Sequence, residues 1–236
     1  MAQDPPASDA ERARPASGRV QVRRLPERGR YERDCINAIL DEGLVCHVGT
    51  VGPDGPVVIP TAYGRDGDRL YLHGAPANAM LRAAGTGQVC VTVTLVDGLV
   101  LARSALHHSI NYRSVVIYGR GEEVTDPDEK ERALATVVEH LVPGRTVDAR
   151  PPTDHELRAT RVVRVPLDEA SAKVRTGGPK DDEEDLALPL WAGELPLQPV
   201  IGPPVAADDL SDDLRPPAYI TAYRRPTRQP APVPRP

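Results

Sequence analysis

The chain has 236 residues, a net charge of −5, 27% charged and 40% hydrophobic residues, with Lys and Arg interspersed among Asp and Glu. That mixture excludes the basic stripe that gathers phosphate backbones, so nucleic acid is not an expected partner. No apolar run approaches the ~20 residues that span a bilayer, and the start, MAQDPPASDA, lacks a signal-peptide pattern; a soluble, cytoplasmic protein with no membrane partner is expected.

Residues 1–19, rich in Ala, Pro, Asp and Arg, read as a disordered tail, and so does the Pro-rich end, 202–236. Between them lie a main domain, 20–175, and an extension packed on it, 176–201. Roughly 180 residues suffice for one hydrophobic core. Phe is absent and Trp191 is the single tryptophan, so aliphatic side chains must fill that core. Tyr31 to Glu42 carries Cys35, Ile36, Ile39 and Leu40 at helical spacing, with Gly43 where a C-cap belongs. LVCHVGTV and PVVIPTAYG flank GPDG and predict a hairpin, and RLYLH, after the turn RDGD, predicts a third strand. A short helix is expected over Ala77 to Ala84.

QVCVTVTLV and LVLARSAL flank Asp97 and Gly98, a two-residue signal that predicts a hairpin between strands four and five. Tyr112 to Val124 is expected as a sixth, long strand, followed by a helix capped by Thr125 or Asp126, with Pro127 in its first turn, running to about Leu141. Thr153 and Glu156 form a capping box, and RVVRVPL predicts a strand over Arg161 to Pro166. The sum is a mainly β fold, an antiparallel barrel of six to seven strands with peripheral helices. GxGxxG, Walker and βαβ patterns are absent, so a nucleotide-type cofactor would need another cradle.

The densest polar stretch is HHSINYRS, His107 to Ser114, set directly against the apolar run VVIYG. Strand alternation puts Asn111 and Arg113 on one face, Tyr112 and Ser114 on the other. Arg113 demands a carboxylate, phosphate or backbone partner, and both a salt bridge and a ligand contact fit that demand. His107 and His108 face opposite ways in an extended chain, so they do not share a metal. KDDEED, Lys180 to Asp185, is a carboxylate cluster without calcium-loop spacing, and a run of like charges is a solvated loop unless ligands converge on it. No metal site is expected. Cys35, Cys46 and Cys90 form no CxxC pair, which points to reduced, buried thiols. A serine hydrolase is disfavoured because no GxSxG elbow occurs.

LDEGLVCHVGTVGPDGPVVIPTAYG, LYLHGA and NYRSVVIYGRGEEV together resemble the pyridoxamine 5'-phosphate oxidase-like family of flavin-binding split barrels, over about Arg24 to Arg175. The nitroimidazole-resistance branch is the nearest in pattern, and Lys173 to Leu197 resembles the C-terminal extension of one bacterial subgroup. The resemblance implies a split β-barrel homodimer with flavin mononucleotide (FMN) at the subunit interface. It implies flavin contacts from Val58, Ile59, Pro60, Thr61, Ala62 and Tyr63, and from Leu72 and His73 on the next strand. Where the family places Ser with Arg or Lys to hold the cofactor phosphate, this chain has APANAM; Asn78 offers a hydrogen bond there, Ala79 stands in the cation's place, and Arg82 or Arg113 would compensate. Ser114 matches a polar position that touches flavin.

His73 matches a histidine beside flavin and substrate, which implies a general acid. Tyr112, as a second catalytic candidate, and Trp191, as a substrate-binding one, would stack on the substrate. The implied activity is an FMN-dependent oxidoreductase acting on a small organic substrate, with nitro-group reduction as one form. Two alternatives stand beside it: a haem-binding split barrel with His73, His107 or His108 as axial donors, and a non-catalytic flavin- or ligand-binding module.

Overall fold

The computed structural model describes residues 13–52, 54–211 and 213–225. Its elements, in chain order, are β1 (Gly29–Arg30), α1 (Arg33–Glu42), β2 (Val45–Gly52), β3 (Gly55–Ala62), β4 (Gly64–Asp66), β5 (Arg69–Gly74) and α2 (Ala79–Ala84). There follow β6 (Gln88–Leu101), β7 (Ser109–Arg120), β8 (Glu122–Glu123), α3 (Pro127–Leu141), α4 (Arg145–Asp148) and α5 (Asp154–Arg158). The chain closes with β9 (Arg161–Pro166), β10 (Glu169–Arg175), β11 (Gly193–Pro196) and α6 (Ala218–Thr221). Pairing is antiparallel throughout the ladders described below, so the expected mainly β architecture with peripheral helices is the observed one. No helix of the described residues is long and apolar enough to cross a membrane.

The chain divides into two compact units. The first comprises residues 1–43, 90–119 and 167–198. Here strands follow the order β1, β10, β7, β6, with β11 paired to β6. Val91, Val93, Val100, Val115, Ile117 and Ala172 line the strands, and α1 supplies Ile36, Ile39 and Leu40, all nearly or fully buried. The second unit comprises residues 44–89, 120–166 and 199–236. It holds the β2–β3 hairpin, with Gly52 opposite Gly55, and a four-stranded sheet in the order β4, β5, β9, β8. Helix α3 covers that sheet, packing Ala133 and Val137 around Tyr71, Val124 and Val162. Asp126 caps α3 by accepting from the Glu129 amide, and the Thr153–Glu156 capping box starts α5. Within the segment expected as a C-terminal tail, Tyr223 Oη donates to the Leu141 carbonyl at 2.7 Å and Arg145 donates to Tyr219 Oη at 3.0 Å.

The expected hairpin at Asp97 and Gly98 does not form. Strand β6 runs straight through both residues for 14 residues. Asp97 is held extended because its carboxylate accepts from Arg113, and Gly98 lies opposite Pro196 of β11. A Cβ at Gly98 would stand 3.0 Å from the Leu195 carbonyl oxygen, so this glycine serves close strand approach, not a turn. The expected strand from Tyr112 to Val124 is two elements, β7 and β8, separated at Gly121. There the amide of Gly121 donates to the Gly87 carbonyl at 3.1 Å, outside any strand ladder, and a Cβ would run into the Ala84 carbonyl.

Candidate functional site

Strand β3 is built from Pro and β-branched residues yet leaves most of its surface uncovered. Val57, Val58 and Ile59 are 42%, 63% and 38% exposed, and Pro60 is exposed beside them. Thr61 and Ala62 are half-buried. Tyr63 ends this run inside the core, fully buried with its ring centroid 4.6 Å from that of His140. Leu72, on β5, is likewise fully buried. Of the residues that the resemblance aligned along flavin, therefore, Val58 to Ala62 present surface, whereas Tyr63 and Leu72 present packing.

His73 follows Leu72 on β5, opposite Val162 of β9, and strand alternation turns it to the other face. The ring is half-buried, and its Nδ1 is buried with no hydrogen-bond partner among the described residues. Burial lowers its pKa below the ordinary histidine value, so the imidazole is held neutral at pH 7. A neutral, unpartnered ring nitrogen is a ready donor to a metal centre or acceptor for a proton. Asn78 caps α2, its Oδ1 accepting from the Leu81 amide at 3.2 Å, and Arg82 donates to the Ala77 carbonyl at 2.7 Å.

The first unit holds the remaining candidates. Arg113 is clasped by two carboxylates: Nε and Nη2 donate to Asp97 at 2.9 and 2.7 Å, and Nη1 and Nη2 donate to Glu42 at 2.5 and 2.8 Å. Its hydrogen bonds to Glu42 and then to Asp97 raise its pKa further above the usual arginine range. Of the two partners the sequence left open, the carboxylate is the one present. Ser114 Oγ donates to the Lys173 carbonyl at 3.4 Å, and Tyr112, half-buried, lies opposite Arg175 of β10. Trp191 is 70% exposed, its ring laid over Gly193.

Asn111, which strand alternation put beside Arg113, is buried and spends its amide on the fold. It donates to Glu194 of β11 at 2.5 Å and accepts from Arg175, whose guanidinium also donates to the Gly177 and Gly178 carbonyls. Asn111 thus ties the extension to β7. The sequence contained these partners, but nothing local linked Asn111 to Glu194 or Arg113 to Glu42; only the tertiary return of β11 and α1 does.

His107, His108 and the acidic run separate differently. His108 Nδ1 stands 3.1 Å from the Ser104 carbonyl oxygen. His107 Nε2 stands 3.9 Å from Asp182, so the acidic run that sequence alone left solvated meets a histidine.

Comparison with known proteins brings these positions into a family. A model described as pyridoxamine 5'-phosphate oxidase matches residues 32–174. The solved flavocytochrome Anf3 from Azotobacter vinelandii is 39% identical over 90% of this chain and 100% of its own, with a TM-score of 0.86. The FAD and haem binding protein from Mycobacterium smegmatis is 34% identical over 82% of this chain and 95% of its own, with a TM-score of 0.78. A protein assigned to 5-nitroimidazole antibiotic resistance in Bacteroides thetaiotaomicron is 29% identical over 62% of this chain and 86% of its own, with a TM-score of 0.51. No curated protein matches the chain.

Proposed function

The chain belongs to the pyridoxamine 5'-phosphate oxidase family of split barrels, and from that premise we propose that it is a flavocytochrome, a redox protein that binds FAD and haem. The observation that carries this reading is the 39% identity to flavocytochrome Anf3 over 90% of the chain, supported by 34% identity to a second protein that binds FAD and haem. The FMN expected from sequence gives way to FAD, and the haem alternative becomes part of the main reading. Bound, the flavin would supply hydride and single-electron exchange and the haem single-electron transfer.

The residues fit both groups. His73 would hold the haem iron, because burial keeps its imidazole neutral and its Nδ1 has no partner within the described residues. This role replaces the general-acid role expected for it. Val58 and Pro60, on one face of an uncovered strand, offer apolar surface against which a flat ring system would pack, with Thr61 on the same strand. A homodimer with the cofactors at its interface belongs to the same reading, since three exposed β-branched side chains on one strand favour a cover. Arg113, held by Glu42 and Asp97, supports the fold of β7 rather than a phosphate.

A nitro-group reductase is the second reading, and the 29% identical relative favours it. It keeps the small organic substrate, with His73 as its general acid.

The absorption spectrum of the purified protein and chromatography of its extracted cofactor separate the two readings. A Soret band with extractable FAD is expected, and His73→Ala should remove the Soret band while the flavin bands persist. FMN alone, with no Soret band after haem supplementation, would overturn the flavocytochrome reading.

A further inference from the structure

Two loops of the first unit are fastened together through Asp181. After β6, the Arg103 amide donates to Asp181 Oδ1 at 2.8 Å and its Nη1 donates to Oδ2 at 2.7 Å. The Asp181 side chain is left only 2% exposed. Downstream of Arg103, Ser104 opens a 3₁₀ turn, Ala105–His107, by accepting from the Leu106 amide. Downstream of Asp181, Asp182 opens a second 3₁₀ turn, Glu183–Ala187, and Asp185 follows within it. The clasp therefore brings His107 of one turn to Asp182 and Asp185 of the other. One ligand atom from each of the three lies within 4.8 Å of the other two.

We propose that His107, Asp182 and Asp185 form a binding site for a divalent cation of the zinc class, which locks the C-terminal extension onto the turn after β6. This site is separate from the flavin and haem reading and does not depend on it. Three observations carry it. The donor set, one imidazole nitrogen and two carboxylates, is a three-ligand set of the kind that zinc takes while keeping a position open to water. The Nε2 of His107 faces Asp182 at 3.9 Å, and the ring's other nitrogen, Nδ1, is buried with no hydrogen-bond partner among the described residues. Arg103, on the same loop as His107, is already committed to Asp181.

Geometry sets what binding must do. Zinc ligands at about 2.0–2.2 Å stand roughly 3.4 Å apart in a tetrahedron. His107 Nε2 and Asp182 Oδ2 start at 3.9 Å, so the site closes by side-chain rotation, and Asp182, 68% exposed, is free to rotate. Calcium is the poorer match, since it takes six or more oxygens and the site offers two carboxylates and a nitrogen.

The test is equilibrium dialysis of the cofactor-loaded full chain against zinc chloride, with bound metal counted by atomic emission and thermal unfolding followed in parallel. About one zinc per chain is expected, with a raised unfolding temperature. His107→Ala and Asp185→Asn should each weaken binding about tenfold or more, whereas His108→Ala and His155→Ala leave it unchanged. Asp182→Asn alters a side chain too exposed to affect folding, and it should weaken binding as well. Zinc retained in full by His107→Ala and Asp182→Asn, or no zinc bound at micromolar concentration, overturns the proposal. Either result leaves the spectral test of the cofactors untouched.

Discussion

Replacing Arg113 by alanine tests whether the polar stretch before the apolar run is scaffold or site. The substitution removes the guanidinium shared by Glu42 and Asp97, whose side chains are 11% and 23% exposed. Breaking a buried ion pair from one side costs about 3–5 kcal/mol. The residual exposure of both carboxylates lets water recover part of that, so about 2–4 kcal/mol is expected. With a urea m-value of about 3 kcal/mol/M, the midpoint should fall by roughly 1 M. Far-UV circular dichroism is the right signal, because Trp191, the single tryptophan, is 70% exposed and reports little of the core. Arg113→Lys should rescue little, since an ammonium cannot span two carboxylates with a planar fork. The double variant with Glu42→Gln should cost less than the sum of the single changes, by about 1 kcal/mol or more. Flavin and haem content should not change. An unmoved midpoint with lost cofactor would refute the reasoning and make Arg113 a phosphate clamp.

In the haem-free protein, acidification should cause destabilisation through His73. Its folded pKa lies below the free value of 6.5, so the unfolded chain binds more protons, and stability falls as pH drops through 6.5 towards the folded value; His73→Gln should flatten that part of a stability-against-pH curve. Gly121→Ala should cost about 1–3 kcal/mol, because the new Cβ meets the Ala84 backbone carbonyl, which has no free rotation to yield; a fall of several degrees in Tm checks it. Cys46 should resist alkylation in the native state, since burial pushes its thiol up to about 12 and leaves only about one thiolate in ten thousand at pH 8. The half-buried Cys35 and Cys90 should be labelled first, with Cys46 following only in denaturant, as mass spectrometry will show.

Elements whose cause is local were legible. Capping by Asp126 and the Thr153–Glu156 box appear as read, because a cap needs only a side chain and an amide three residues on. Strand β9 matches its expected span, Arg161–Pro166, where four valine and proline positions leave few alternatives. The Asp97–Gly98 signal failed for the opposite reason. Its turn residues were recruited by partners far along the chain, Arg113 on β7 and Leu195 on β11, and tertiary contacts outweighed a local preference. Strand β10, Glu169–Arg175, went unseen because EASAKVR has weak β character; its strand state comes from pairing with β1 and β7.

The candidate site divides along the same line. His73 was found from its position in a strand and a family pattern, and burial then supplied what sequence lacks, a reason for its ring to stay neutral. Arg113 and Asn111 were found for the right property, the need of a polar group to be satisfied, but their partners are 71, 16 and 83 residues away in sequence. A polar cluster beside a buried strand has two ways to meet that need, a ligand or the protein itself, and the choice depends on which chain segments return to it. Here the extension returns. Glu194 takes Asn111, while Asp181, drawn to Arg103, delivers Asp182 and Asp185 to His107. The same closure thus leaves the first histidine of HHSINYRS facing two carboxylates.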